Sequence, residues 1–424
     1  MSKDKKKLVP ELRFPQFAND EEWIGDTLVN IAKFRRGSFP QPYGLPEWYD
    51  VKNGMPFVQV YDVGDDFRLK PTTKSKISKL AAEQSVFIEK GTVIITIQGS
   101  IGRVAITQYD AYIDRTLLLF EEFYNEIDKT FFAYVLFMLF EIEKQKAPGG
   151  IIKTITKEVL SDFVINIPKI NEQEKISTCL SSLDKVITAH NQKLDTLKDH
   201  KKGLMQNLFP QEGETVPKYR FPEFLDDGDW VEKELGVCLS QKPEYGINAA
   251  AVPYSKKLPK YLRITDISED GIYLANGKVS VDRDVSEDNY LSAGDIVLAR
   301  TGASVGKSYK YRETDGRLVF AGFLIRVKPD IKKLDSELLF QFLSTSQYWK
   351  WVSFISARSG QPGINGTEYS AMPICLPPTI NEQQKIASCL SSLDVLIVTQ
   401  AEKIEQLQFH KKGLMQGLFP KVID

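Results

Sequence analysis

The loop Gly302-Ala303-Ser304-Val305-Gly306-Lys307-Ser308 brings glycines, a small hydroxyl and a lysine together, the ingredients of a nucleotide phosphate cradle. Its spacing excludes that chemistry. A phosphate loop needs four residues between its glycines; three stand here, and Thr301 occupies the place of the first glycine. The residues that follow, Tyr309-Lys310-Tyr311-Arg312, read as a strand rather than the helix whose N-terminus would hold phosphate. The first half of the chain carries Gly99-Ser100-Ile101-Gly102-Arg103 at the corresponding place, shorter and closed by arginine. Loops of this kind, tipped with Gln98, Ser100 and Arg103 or with Arg300, Thr301, Ser304 and Lys307, suit a different polyanion. Backbone approaches closely where side chains are absent, hydroxyls and amides meet base edges, and the terminal cation takes a phosphate. A plain hairpin turn without a ligand is the alternative. A second candidate contact loop lies at Pro148-Gly149-Gly150 with Lys153, and at Arg358-Ser359-Gly360-Gln361-Pro362-Gly363.

Cations gather near both loops. Lys33, Arg35, Arg36, Arg68, Lys70, Lys74 and Lys76 cluster in the first half, and Lys256, Lys257, Lys260, Arg263, Arg300, Lys307 and Lys310 in the second. From these, Arg35, Arg36, Arg68, Lys74, Lys256, Lys260 and Arg263 join the loop residues, Lys153 and Arg358 as candidate nucleic-acid contacts. Global charge pulls the other way: the formal net charge is −1 and the pI about 6.4, whereas a dedicated nucleic-acid binder is usually basic. Ordinary solvated surface is the competing reading of the clusters. Catalytic chemistry is not visible. The histidines (His190, His200, His410) fall in long helical segments, so no histidine triad assembles in the globular halves. The cysteines (Cys179, Cys238, Cys375, Cys389) lack zinc-type spacing, and no dinucleotide glycine fingerprint or methyltransferase box is present.

The elements that must position these residues are written twice. Asn171 to Pro210 returns as Asn381 to Pro420 with 24 of 40 positions identical, including Cys179-Leu180-Ser181-Ser182-Leu183-Asp184 and His200-Lys201-Lys202-Gly203-Leu204-Met205-Gln206. A weaker echo opens each half: Arg13-Phe14-Pro15, Phe17 and Trp23 match Arg220-Phe221-Pro222, Phe224 and Trp230. A period near 210 residues is a duplicated module and implies pseudo-twofold symmetry.

Within each repeat the apolar residues step by four and three, the spacing of a coiled-coil seam. Ile176, Leu180, Leu183, Ile187, Leu194 and Leu197 form it in the first copy, with Ile386, Leu390, Leu393, Ile397, Ile404 and Leu407 in the second. The seam also holds His190 and Lys201, matched by Gln400 and Lys411. Such a helix cannot bury its seam alone, and the other copy is the nearest partner. An antiparallel register setting His190 against Lys411 and Gln400 against Lys201 would match polar layer with polar layer. Seam packing does not explain the shared polar residues Ser181, Ser182, Asp184, Lys202 and Gln206, which read as a docking face used twice.

These patterns predict two α/β (α+β) globular domains in tandem, separated by two long antiparallel coiled-coil helices. The boundaries fall at residues 1–168 and 214–377 for the globular domains, and 169–213 and 378–424 for the helices. Each globular domain is expected to hold an amphipathic helix, from about Asp128 to Gln145 and from about Asp335 to Ile355, each capped by its aspartate. The longest greasy run, Phe131 to Phe140, is about half of a membrane span, and no signal core follows the lysine-rich start, so the expected location is the cytoplasm.

Taken together, the doubled Arg-Phe-Pro opening, the Asn-Glu-Gln start of each long helix, the Leu-Ser-Ser-Leu-Asp block and the Lys-Lys-Gly-Leu-Met-Gln close resemble the DNA specificity subunit of type I restriction-modification systems. The resemblance covers essentially the full chain. It implies that each globular half is a target recognition domain for one portion of a split double-stranded DNA site. The paired helices would then be the spacer and the platform for methyltransferase (modification) subunits, two of them, with restriction/translocase subunits joining through the complex. It also implies a chain that is not itself an enzyme. S-adenosylmethionine, ATP and Mg would reside on the partners, and no cofactor or metal on this chain. The competing expectation is a symmetric scaffold that organises other proteins without touching nucleic acid.

Overall fold

The computed structural model describes residues 8–146, 157–357 and 363–420. The chain divides into two compact units, Met1–Asn191 with Glu402–Asp424, and Gln192–Ala401. Each unit combines a globular domain with the opening half of the helix that follows it and the closing half of the other long helix.

In the first unit, Ala32–Arg36, Leu117–Phe123, Val93–Thr96 and Val104–Ile106 lie side by side in an antiparallel sheet. The second sheet runs Ser75–Ile77, Met55–Val58, Ala111–Ile113 and Val86–Ile88, with Met55–Val58 parallel to Ala111–Ile113. Val93–Thr96 is buried along its whole length. The alternation of side chains across a strand explains why: Val93 and Ile95 face the core containing the helix Lys129–Lys146, whereas Ile94 joins the core shared with the second sheet. An unbroken apolar run in the sequence is the signature of such a two-faced strand. The second unit repeats the plan. Glu244–Tyr245, Leu324–Val327, Ile296–Ala299 and Ser308–Lys310 make its first sheet, and Ile296 and Leu298 split from Val297 and Ala299 between two cores in the same way. Its second sheet differs at the edges: Ala251–Pro253 is added beside Val279–Val281, and a single bridge at Tyr290 stands where the first unit has Val86–Ile88.

The expected domain helix of the first unit is present as Lys129–Lys146, with the Asp128 carboxylate accepting from the Phe131 amide at 2.7 Å. In the second unit the single helix expected from Asp335 to Ile355 is two, Ser336–Phe342 and Ser346–Ser356. Asp335 caps the first as expected. The break comes from Thr345, whose hydroxyl accepts from the Tyr348 amide and starts a new helix. Tyr348 is thereby directed into the core, where its hydroxyl donates to the Gly306 carbonyl.

The repeated segments are continuous helices, Ile170–Leu208 and Ile380–Leu418, about 58 Å long at 1.5 Å per residue. They run antiparallel. In the first unit Met415 and Leu418 pack into one core with Ile176 and Leu180, while Lys411 reaches Asp184 further along; in the second, Leu208 packs with Ile386 and Leu390, while Lys201 reaches Asp394. Ile176, Leu180, Ile187, Ile386, Leu390 and Ile404 are buried, whereas Leu183, Leu194, Leu197, Leu393, Ile397 and Leu407 are half-buried. No helix among the described residues is long and apolar enough to cross a membrane.

Candidate functional site

The repeated motifs meet where each globular domain is fastened to the helices. Arg13 donates through Nε and one terminal nitrogen to both oxygens of Glu172 (2.9 and 2.7 Å), and Arg220 does the same to Glu382 (both 2.8 Å). All four side chains are buried. The arginines of the Arg-Phe-Pro motifs and the glutamates of the Asn-Glu-Gln motifs are therefore one device. It ties the strap that leads into each unit to the first turn of its long helix. Sequence reading found both motifs and missed that they pair.

The Leu-Ser-Ser-Leu-Asp and Lys-Lys-Gly blocks join in a second device. Lys411 Nζ lies 2.5 Å from Asp184, and Lys201 Nζ 2.6 Å from Asp394. The domain helix adds a third member: the Tyr134 hydroxyl donates to Asp184, and Gln341 donates to Asp394 at 2.7 Å. Burial first, then the adjacent Asp184 carboxylate, pushes the Tyr134 phenol far above its ordinary range, so it stays a donor. Two expectations are corrected here. Seam lysines reach aspartates six residues before His190 and Gln400, about 9 Å along the axis, because a buried ammonium is compensated by a carboxylate better than by a neutral amide or imidazole. Asp184, assigned to an exposed docking face, is a structural partner; Ser182, Lys202 and Gln206 do remain exposed.

Removing Asp184 strands both Lys411 and the Tyr134 hydroxyl. Asp184→Ala is expected to destabilise its unit by about 1–3 kcal/mol. Urea unfolding of Asp184→Ala, Lys411→Met and the double variant should give a coupling energy of at least about 0.5 kcal/mol; strictly additive losses would show that the pair contributes nothing.

The glycine loops are hairpin turns, with Val93–Thr96 antiparallel to Val104–Ile106 and Ile296–Ala299 antiparallel to Ser308–Lys310. Gly102 and Gly306 take positive φ (84° and 86°), and a Cβ there would stand 2.8 Å from Phe140 or 2.7 Å from Val352. These glycines admit the domain helices to the sheet. Their amides are also spent internally, donating to Thr96 and Ala299 carbonyls. The closing cations are compensated: Arg103 pairs with Asp65 at 3.0 Å, and Lys307 with Glu269 at 2.6 Å.

The other candidates divide by partner. Arg35 is held by Glu121 at 2.5 Å, Arg263 by Asp266 at 2.7 Å, and Lys260 by the Asp315 carbonyl at 2.6 Å. Arg36 and Arg68 are exposed, Lys74 lies over the Tyr61 ring, and Gln98 and Ser100 sit on the first loop. In that loop Ser100 and Arg103 border a cavity of about 380 Å³ with Asp65, Phe67 and Lys144. Lys256 and Lys260 border an open cleft of about 710 Å³ together with Lys257, Arg283 and Arg317, against Asp282 and Asp284. Sequence clustering missed Arg283 and Arg317 because they come from distant segments. Arg300 lies over the Tyr245 ring, Thr301 bridges Gly363 at the end of the second candidate loop, and Ser304 ends the turn. Lys153 and Arg358 lie outside the described residues.

Two tandem units of one plan, each bound to its helix by the same pair of ionic devices, agree with a match to the type I restriction modification DNA specificity domain over residues 48–199 and 229–408. The chain belongs to that family. Among its relatives is the MjaVIII type I restriction enzyme specificity subunit of Methanocaldococcus jannaschii, 23% identical over 360 residues and covering 82% of this chain and 83% of that one. The fold is shared with the type I restriction-modification S subunit from M. genitalium, at 15% identity and a TM-score of 0.62 over 98% of this chain and 100% of that one. It is also shared with a chain from a type I restriction-modification assembly, at 14% identity and a TM-score of 0.55 over 95% and 98%.

Proposed function

We propose that this specificity subunit reads a bipartite, asymmetric double-stranded DNA target, one half with each unit, while its paired helices set the gap and dock methyltransferase subunits. The observation that carries the reading is the combination of one scaffold used twice with contact surfaces that differ. The fastening residues repeat as Arg13 and Arg220, Glu172 and Glu382, Asp184 and Asp394, whereas the glycine loops differ, Ile97-Gln98-Gly99-Ser100-Ile101-Gly102-Arg103 in the first unit against Arg300-Thr301-Gly302-Ala303-Ser304-Val305-Gly306-Lys307 in the second. Such a chain presents two readers of different sequence on one frame.

The identical exposed residues, Ser182 with Lys412 and Gln416 in the first unit and Ser392 with Lys202 and Gln206 in the second, support a docking face used twice and a reading with two methyltransferase subunits. Restriction and translocase subunits join through that complex. The chemistry sits on the partners: S-adenosylmethionine with the methyltransferases, ATP and Mg with the motor. This chain contributes recognition in the cytoplasm and no catalytic step. The acidic balance of the subunit is then tolerable, since partners supply some of the grip on phosphates.

Replacing residues 219–377 with the matching segment of a relative tests modular reading. Methylome sequencing of a host carrying the whole system is expected to show one half-site changed, with the other half-site and the gap as before. A change in both halves would overturn the assignment of one half-site to one unit.

A further inference from the structure

The corner where the two sheets of each unit join carries an arginine that enters no ion pair among the described residues. In the second unit this corner is the turn between Leu318–Phe320 and Leu324–Val327, which the Arg300 amide grips by donating to the Phe323 carbonyl at 3.0 Å. The Arg300 guanidinium lies over the Tyr245 ring, 4.9 Å from its centroid. It enters no ion pair among the described residues, and its buried Nε has no hydrogen-bond partner. Phe323 stands beside it, 61% exposed.

The first unit has the same corner, with the Ile97 amide donating to Thr116 and Gly37 closing against the turn as Gly246 does in the second. These bonds place Arg115 opposite Gly322 and Thr116 opposite Phe323. Here the cation comes from the turn itself: Arg115 lies over the Tyr43 ring, again at 4.9 Å, and Tyr43 is fixed by donating to Asp114 at 2.5 Å. The two units thus reach one arrangement by different residues, an arginine over a tyrosine ring with no ion pair of its own among the described residues, Asp114 engaging the tyrosine rather than Arg115 in the first unit. By contrast the glycine-loop cations are neutralised by Asp65 and Glu269.

In Arg300 the buried Nε is a donor left unmet, which costs stability, whereas Arg115 is exposed. Packing over the ring holds the guanidinium in place, and an arginine presents a planar fork of N–H donors. The oxygen and nitrogen of a guanine edge match that fork. We propose that these corners are the base-reading edges, with Arg300 and Arg115 each discriminating a guanine in its own half-site, and Phe323 shaping the neighbouring position. This rests on the DNA-reading role proposed above and assigns it to specific residues.

The test uses the assembled system. Methylome sequencing first fixes the parental motif; if no bipartite motif is methylated, the functional reading fails before this one is addressed. With the motif in hand, Arg300→Gln and Arg300→Lys are each expected to lose preference for one guanine in one half-site and to bind the parental duplex about tenfold to a hundredfold more weakly. The other half-site stays as it was. Arg115→Gln should give the mirror result in that other half. Unaltered preference at every position in Arg300→Gln, or its full retention in Arg300→Lys, would overturn the proposal, because a point charge serves a phosphate but not a two-pronged base contact. Should Arg300→Gln fail to assemble, Phe323→Ala decides: altered preference in the same half-site supports the assignment, and an unchanged motif refutes it.

Discussion

Glu382→Ala is expected to lower the melting temperature of its unit by about 6–20 °C, the largest stability loss of any single substitution proposed for this chain. The glutamate accepts both prongs of Arg220 and a third bond from Trp230 Nε1 at 3.3 Å, with its side chain fully buried. Deleting it leaves a buried guanidinium uncompensated, which costs about 3–5 kcal/mol, and a unit of this size shifts by about 2–4 °C per kcal/mol. Glu172→Ala should fall in the same direction by less, because Trp23 Nε1 has no acceptor and one bond fewer is lost. Replacing both partners, as in Arg220→Met with Glu382→Leu, should recover most of the loss, since an apolar pair of similar volume carries no desolvation penalty. Differential scanning fluorimetry on the intact chain reads all three. A Glu382→Ala melt within about 2 °C of the parent would mean that the strap is held by something other than this pair.

The helices were legible in the sequence because their cause is local: a seam spaced by fours and threes, bounded by Pro168 and Pro210, needs no knowledge of the rest of the fold. The doubled strands around Val93 and Ile296 were legible for the same reason, their apolar runs being longer than one buried face requires. What stayed hidden depends on partners distant in the chain. Arg13 and Glu172 are 159 residues apart, and nothing about either alone marks it as buried. Asp184 looked like a surface residue; Lys411 of the other long helix and Tyr134 of the helix Lys129–Lys146 together make that position half-buried. The candidate cations show the limit most plainly. The glycine-loop pattern selected Lys307 and Arg103, which the fold neutralises, and passed over Arg115, whose placement depends on Tyr43 from a distant segment. Residues identical in both copies without seam or turn duties, such as Arg13 with Arg220 and Asp184 with Asp394, are those that must find each other in space.

The division into units also sharpens what sets the gap between half-sites. The chain passes from one unit to the other twice, between Asn191 and Gln192 in the first long helix and between Ala401 and Glu402 in the second. Each helix is tied to its partner on both sides of those crossings, by Asp184 with Lys411 and by Lys201 with Asp394. Lengthening only the first helix, by four residues after His190, would therefore shear one ionic tie against the other rather than extend the spacer. Four residues inserted after Asn191 and four more after Ala401 lengthen both helices together, by about 6 Å each, with a rotation of about 400° that leaves both seams close to register. The paired insertion is expected to give a folded subunit whose target keeps both half-sites and gains one or two base pairs of unspecified gap, at about 3.4 Å each. The single insertion should instead lose stability and methylation at the parental site. Methylome sequencing of the two variants reads the outcome. A paired insertion that methylates fully with the original gap would show that the spacing is set outside these helices.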